Sequence, residues 1–182
     1  YDVQKFIMPI RPQYHTSLLP DTILRNENEN DFLAKTPYRY ALQKVYISNA
    51  LERNIQPGDI VIFYRNGIPG NAGHTAVLTS VAIVDEAISG FKSKEEYMSH
   101  VQNRSVFTND ELEQFWQKYR GNQIVLKFIF LKSLIKRPIL KFLWDNDIIT
   151  FPKGPRPFTR ITDHQFDMIL DEAQTDLSRY WR

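Results

Sequence analysis

The chain has 182 residues, 42% of them hydrophobic and 24% charged, which is enough for one well-buried core and short for two ordinary domains. It contains no cysteine, which excludes disulfides and thiolate metal sites and fits a reducing, cytoplasmic setting. No apolar run nears the roughly 20 residues of a membrane helix, residues 1–20 lack the basic start and apolar centre of a signal peptide, and a net charge of +2 singles out no partner.

The charge is uneven along the chain. From Arg120 to Arg160 nine Lys or Arg stand against two acids, whereas Asp85 to Glu113 has seven acids against three bases. Such asymmetry can lay a phosphate-attracting face beside an acidic one, or can simply be the solvated edges of strands and helices.

The chain begins at Tyr1 without a methionine, as a piece cut from a longer protein would. Pro9, Pro12 and Pro20 are followed by a polar run from Arg25 to Asp31, so residues 1–35 read as a linker or the tail of an upstream domain. From Tyr38 the pattern turns globular. Tyr38, Leu42 and Val45 share a helical face, although Val45-Tyr46-Ile47 could equally open a strand.

Three segments read as extended. Pro57-Gly58-Asp59 is a turn leading into Ile60-Val61-Ile62-Phe63-Tyr64, stopped by Asn66-Gly67. Gly73 to Asp85 and Ile124 to Leu134 give a second and a third strand, each apolar on both faces, as a closed barrel covered by helices would require. The loop Asn66 to Gly73, with Gly67, Pro69 and Gly70, reads as flexible.

Helices are marked by their caps. Ser93-x-x-Glu96, Thr108-x-x-Glu111 and Thr162-x-x-Gln165 are capping boxes. The second opens a face of Leu112, Phe115, Trp116 and Tyr119, and the third a face of Phe166, Ile169, Leu170, Ala173 and Leu177. Pro138 suits a first helical turn, predicting a short helix over Ile139 to Trp144. The mixed order of strands and helices predicts an α+β fold.

His15, His74, His100 and His164 fall at no metal-ligand spacing, and no nucleophile elbow, phosphate loop or dinucleotide fingerprint occurs. No catalytic residue, cofactor or metal is therefore expected. What remains is a set of polar and aromatic groups at element ends: Tyr64 and Arg65, His74 and Thr75, Arg104 and Ser105, and the loop Gly154-Pro155-Arg156-Pro157-Phe158-Thr159-Arg160. A stiff loop with two guanidiniums and a ring could stack a base and hold its phosphate. Alternatively Tyr64 and Phe158 are core, Arg65 pairs with Asp59 or Asp85, and Arg156 is simply exposed.

Several stretches resemble one family: Lys44-Val45-Tyr46-Ile47-Ser48, Pro57 to Arg65, Thr75-Ala76-Val77 with Val84-Asp85, Arg104 to Thr108, and Ile161-Thr162-Asp163 before Phe166. They look like the PUA-like domains of the ASCH and EVE type, over about residues 38–175. The form most resembled stands behind a GNAT-type N-acetyltransferase domain in bacterial fusion proteins, and Ile7 to Asp21 looks like the end of such a domain. Its catalytic core and coenzyme A loop are not in this chain, so the activity does not carry over.

The resemblance implies a pseudo β-barrel of five or six mostly antiparallel strands flanked by helices, here over 36–182, with a cleft used in related families for RNA or a modified base. Candidate contacts are then Lys44, Tyr46, Arg65, His74, Arg104, Arg156 and Arg160. The competing reading is a regulatory or docking appendage of the acetyltransferase, sensing a small ligand or positioning a substrate.

Overall fold

The computed structural model describes residues 2–19, 42–50 and 54–180. Six strands lie among them: β1 (Lys5–Ile10), β2 (Gln43–Ser48), β3 (Ile60–Arg65), β4 (Val77–Ile88), β5 (Ile124–Ser133) and β6 (Thr159–Ile161). They are hydrogen-bonded in the order β2-β5-β4-β3-β1-β6. The sheet is mostly antiparallel, with β1 parallel to β3, and the architecture is α+β as expected. Among the described residues it is an open sheet whose outer strands are β2 and β6, where two-sided apolar strands had suggested closure. Two-sided burial needs only that both faces be covered, and β3 is buried from Ile60 to Tyr64 without a closed ring.

The chain divides into two compact units, Tyr1–Pro12 with Ile60–Ala82 and Leu131–Arg182, and Gln13–Asp59 with Ile83–Phe130. The first holds β1, β3, β6 and the start of β4, with helices α2 (Ala72–Thr75), α5 (Leu140–Asp145) and α6 (Asp163–Glu172). Its core joins Ile7, Ile60, Ile62 and Tyr64 from the strands to Leu140, Leu143, Phe166 and Ile169 from the helices, with Ala173 and Leu177 beyond α6. Leu170 packs at the margin of that core, half-buried. Each of these large side chains contributes on the order of 1.5–3 kcal/mol by leaving water.

Residues 5–18, expected as linker or as the end of another domain, are instead strand and helix, β1 followed by α1 (Pro12–Leu18). Phe6, Ile7, Met8 and Ile10 are buried. The prolines that argued against a strand sit where they do no harm. The carbonyls of Gln4 and Ile10 accept from Ile60 and Asn66, so even-numbered residues turn their backbone groups to β3. Pro9 therefore faces the β6 side, beyond Ile7, where the pairing with β6 has ended. Its missing N–H leaves no ladder bond unmade. Pro12 opens α1, where a helix needs no donor. Residues 20–35, including the polar run, lie outside the described residues, as do Tyr38 and Ala41.

Residues 43–48 take the strand alternative, and Leu42 is exposed, on no helical face. The second expected strand starts later than predicted. Gly73-His74-Thr75 belongs to α2, closed by a 2.9 Å bond from the Ala76 N–H to the Ala72 carbonyl, and β4 runs on to Ile88.

In the second unit α3 (Lys94–Val101) and α4 (Asn109–Tyr119) cover Val45 and Val125 with Tyr97, Val101 and Leu112. The boxes at Thr108 and Thr162 are complete. That at Ser93 is half formed: its hydroxyl accepts from the Glu96 N–H at 3.1 Å, but the Glu96 carboxylate takes the N–H of Lys92. No helix of the described residues is long and apolar enough to cross a membrane.

Candidate nucleic-acid interface

Within the first unit, a run of contacts joins the end of β3, helices α2 and α5 and the loop 150–158. Tyr64 is 4% exposed, and burial pushes its phenol up to about 12, so it is a neutral group at physiological pH. The loop passes over its hydroxyl closely enough that a Cβ on Gly154 would stand 3.6 Å from it. From Arg65 the chain turns through residues 66–71, which were expected to be flexible. They are laced down by Thr75, whose hydroxyl accepts from the Ile68 N–H at 2.8 Å and donates to the Asn71 carbonyl at 2.7 Å. Thr75 is thus a brace for the loop.

Behind this loop lies the indole of Trp144. Gly73 is packed so tightly on it that a Cβ would meet Trp144 Cζ3 at 2.8 Å. The Trp144 N–H donates to the Lys153 carbonyl at 2.7 Å, and the Phe151 ring stands edge-to-face against the indole with centroids 5.0 Å apart. Farther along, the Thr159 hydroxyl accepts from the Arg156 N–H and donates to the Arg156 carbonyl, at 3.0 and 2.7 Å. The loop is therefore pinned near both ends, with Phe151, Pro152, Lys153, Arg156 and Pro157 exposed and Phe158 buried. Lys153, Arg156 and Arg160 are exposed, and no ion pair among the described residues engages any of them. The acid on α5, Asp145, is taken by Lys141 at 2.6 Å, and Asp147, between α5 and the loop, is exposed. Uncompensated cations on a fixed backbone suit a phosphate ligand.

The expected site residues separate on this description. Tyr64, Arg65, His74, Thr75, Arg156, Phe158 and Arg160 lie in the first unit, and Lys44, Tyr46, Arg104 and Ser105 in the second. His74 is exposed on α2 beside Gly73, and Arg65 is half-buried opposite Ile10. Arg160 lines an open depression with Gln4, Lys5 and Asp163, where Lys5 already neutralises Asp163 at 2.6 Å.

Phe158 offers no stacking face: it is 6% exposed, edge-on to Phe6, with φ +57 and its N–H directed at Met8 Sδ. Ser105 is buried, and its Oγ accepts from the Phe107 N–H. Lys44 is 6% exposed on β2, opposite Phe128, which removes it from the surface available to phosphates. Tyr46, on the same strand, has its phenol pushed up to about 12 by burial. Arg104 is exposed but spends an N–H on Gln43 Oε1 at 3.4 Å, and the Gln43 amide in turn holds Asp85.

No protein-family model and no curated protein matches the sequence. Solved structures do. The ASCH protein of Zymomonas mobilis superposes with a TM-score of 0.60 at 8% identity, over 93% of this chain and 96% of that one. The fold is that of the ASCH domain. A hypothetical protein from Leishmania major gives 0.56 at 12% identity, over 100% of this chain and 98% of that one. Human THYN1, solved in complex with 5-methylcytosine-containing DNA, gives 0.51 at 10% identity, over 95% and 99%. Identities this low establish a shared ASCH and PUA-like architecture and nothing finer.

On this ASCH fold, sequence reasoning missed Trp144, Phe151 and Lys153. The loop 153–160 was expected to border a site, but Lys153 was not named as a contact and the aromatic signal lay just before it, in Phe151-Pro152. Trp144 read only as the end of a short helix.

Proposed function

We propose that this chain is a nucleic-acid-binding module, non-catalytic by itself, whose ligand is RNA or a nucleic acid carrying a modified base. The observation that carries the reading is the pair of exposed cations Lys153 and Arg156, without acidic partners among the described residues, on a loop pinned beside Tyr64, Trp144 and Phe151, with exposed Arg160 on the strand β6 that follows. Phosphate recognition needs these cations and base recognition the rings beside them. Support of a weaker kind comes from the shared fold, because one structural neighbour, human THYN1, was solved with DNA containing 5-methylcytosine.

Fluorescence polarisation with labelled RNA, single-stranded DNA and modified-base oligonucleotides, each at two salt concentrations, tests it. The expected result is saturable binding that weakens as salt rises. Binding of no oligonucleotide, or binding indifferent to salt, would remove the support and favour a metabolite or docking role.

A further inference from the structure

We propose that the exposed ring of Phe151 is a stacking surface for an unpaired base, which makes the ligand of this face a single strand. The inference rests on the nucleic-acid reading above and specifies its ligand. Phe151 is 70% exposed. The other large hydrophobic side chains exposed among the described residues, Val3, Leu42, Ile68, Ile129 and Ile135, are aliphatic, so among those residues the one exposed hydrophobic ring falls on the basic loop.

The ring's attitude is set by its neighbour. An edge-to-face contact at 83° with the indole of Trp144 can cover at most one face of the phenyl, and the exposure leaves the other face to solvent. Trp144 is itself held from two sides, by its bond to the Lys153 carbonyl and by the backbone of Gly73. A ring so placed loses little freedom when a base settles on it.

The charges follow at short range. Lys153 stands two residues from Phe151, a chain reach of at most about 7 Å, and Arg156 three residues further. Both are exposed and unpaired among the described residues, so a strand whose base lies on Phe151 finds cations for its adjoining phosphates. Within a duplex both faces of an internal base are already stacked, so a protein ring takes such a base only by unstacking or flipping it, at a cost of about a few kcal/mol that an unpaired strand does not incur.

The test uses the whole chain, a labelled single-stranded oligonucleotide and the same sequence as a duplex. Phe151→Ala and Phe151→Leu should each weaken single-strand binding about tenfold, within the range for loss of one stacked base, and Phe151→Trp should retain it. None of the three should change the slope of affinity against salt, since no charge is removed. A thermal melt alongside confirms folding. If Phe151→Ala or Phe151→Leu binds as the parent does while Arg156→Gln binds less well, the stacking proposal is overturned and the nucleic-acid reading stands. A parent that prefers the duplex overturns it equally. A parent that binds neither form sinks both.

Discussion

Replacing Gly73 by alanine sets two effects of opposite sign against each other. Gly73 lies in helix α2, where alanine would ordinarily stabilise by roughly 0.5–1 kcal/mol. Here the new methyl would stand 2.8 Å from Trp144 Cζ3 and 3.3 Å from Cη2. Carbon contacts are favourable near 3.5–4.0 Å, so the indole must retreat by about 0.7–1.2 Å. Its bond to the Lys153 carbonyl, now 2.7 Å, would then stretch past the usual limit of roughly 3.2 Å. Overpacking of this kind costs about 1–3 kcal/mol and the lost bond about 1 kcal/mol.

The expected net is a destabilisation of about 2 kcal/mol, or a fall in Tm of about 4–8 °C for a chain of this size. Circular dichroism melts of the parent, Gly73→Ala, Trp144→Phe and the double variant would measure it. The cost of Gly73→Ala should shrink when the indole is gone, because the two residues are in contact. A Gly73→Ala protein that melts at or above the parent temperature would refute the reasoning and show that helix propensity, and not the packing of Trp144, governs the site.

The remaining expectations concern charge, bracing and pH. If Lys153, Arg156 and Arg160 each neutralise one phosphate of a single strand, log affinity should fall with log salt at a slope of about −2, and Arg156→Gln should flatten it by about 0.7; an unchanged slope would exclude Arg156 from the interface. Thr75→Val removes both bonds of the hydroxyl that holds residues 66–71 and should cost about 1–3 kcal/mol, with faster proteolytic cleavage in that loop than in the parent. Burial pushes the phenols of Tyr46, Tyr64 and Tyr97 up to about 12. The folded chain thus holds these protons longer than the unfolded one, whose tyrosines titrate near 10. The stability they confer is intact below about pH 10 and is lost as pH rises through about 12; a phenolate absorbance titration should show a late-ionising group of tyrosines, and Tyr97→Phe should remove one tyrosine from it.

How much of this was legible in the sequence varied with the range of the forces involved. β3 could be read because its signals are local: a turn at Pro57-Gly58-Asp59, with Gly58 at φ +93, followed by a run of β-branched residues. The boxes at Thr108 and Thr162 are equally local. β1 was misread because the harmlessness of Pro9 depends on which neighbour its backbone faces, a fact set by residues far along the chain. Among the candidate contacts, the exposure of Arg156 and the burial of Phe158 follow from opposite sides of one short loop, and no local rule separates them. Trp144 and Phe151 find each other only after α5 has turned the chain back.

The placement of β1 also sets a timetable for synthesis. Phe6 pairs with Val61 on one side and with Arg160 on the other, so this strand leaves the ribosome long before its second partner exists. At about 5–20 residues per second, that partner follows roughly 10–30 s later. For that interval one edge of an apolar strand stays open to whatever else is extended nearby, including the same segment of another nascent copy. Among the described residues the last strand made is also the shortest, three residues from Thr159 to Ile161, so the step that covers this edge is small, late and dependent on everything before it having held its place.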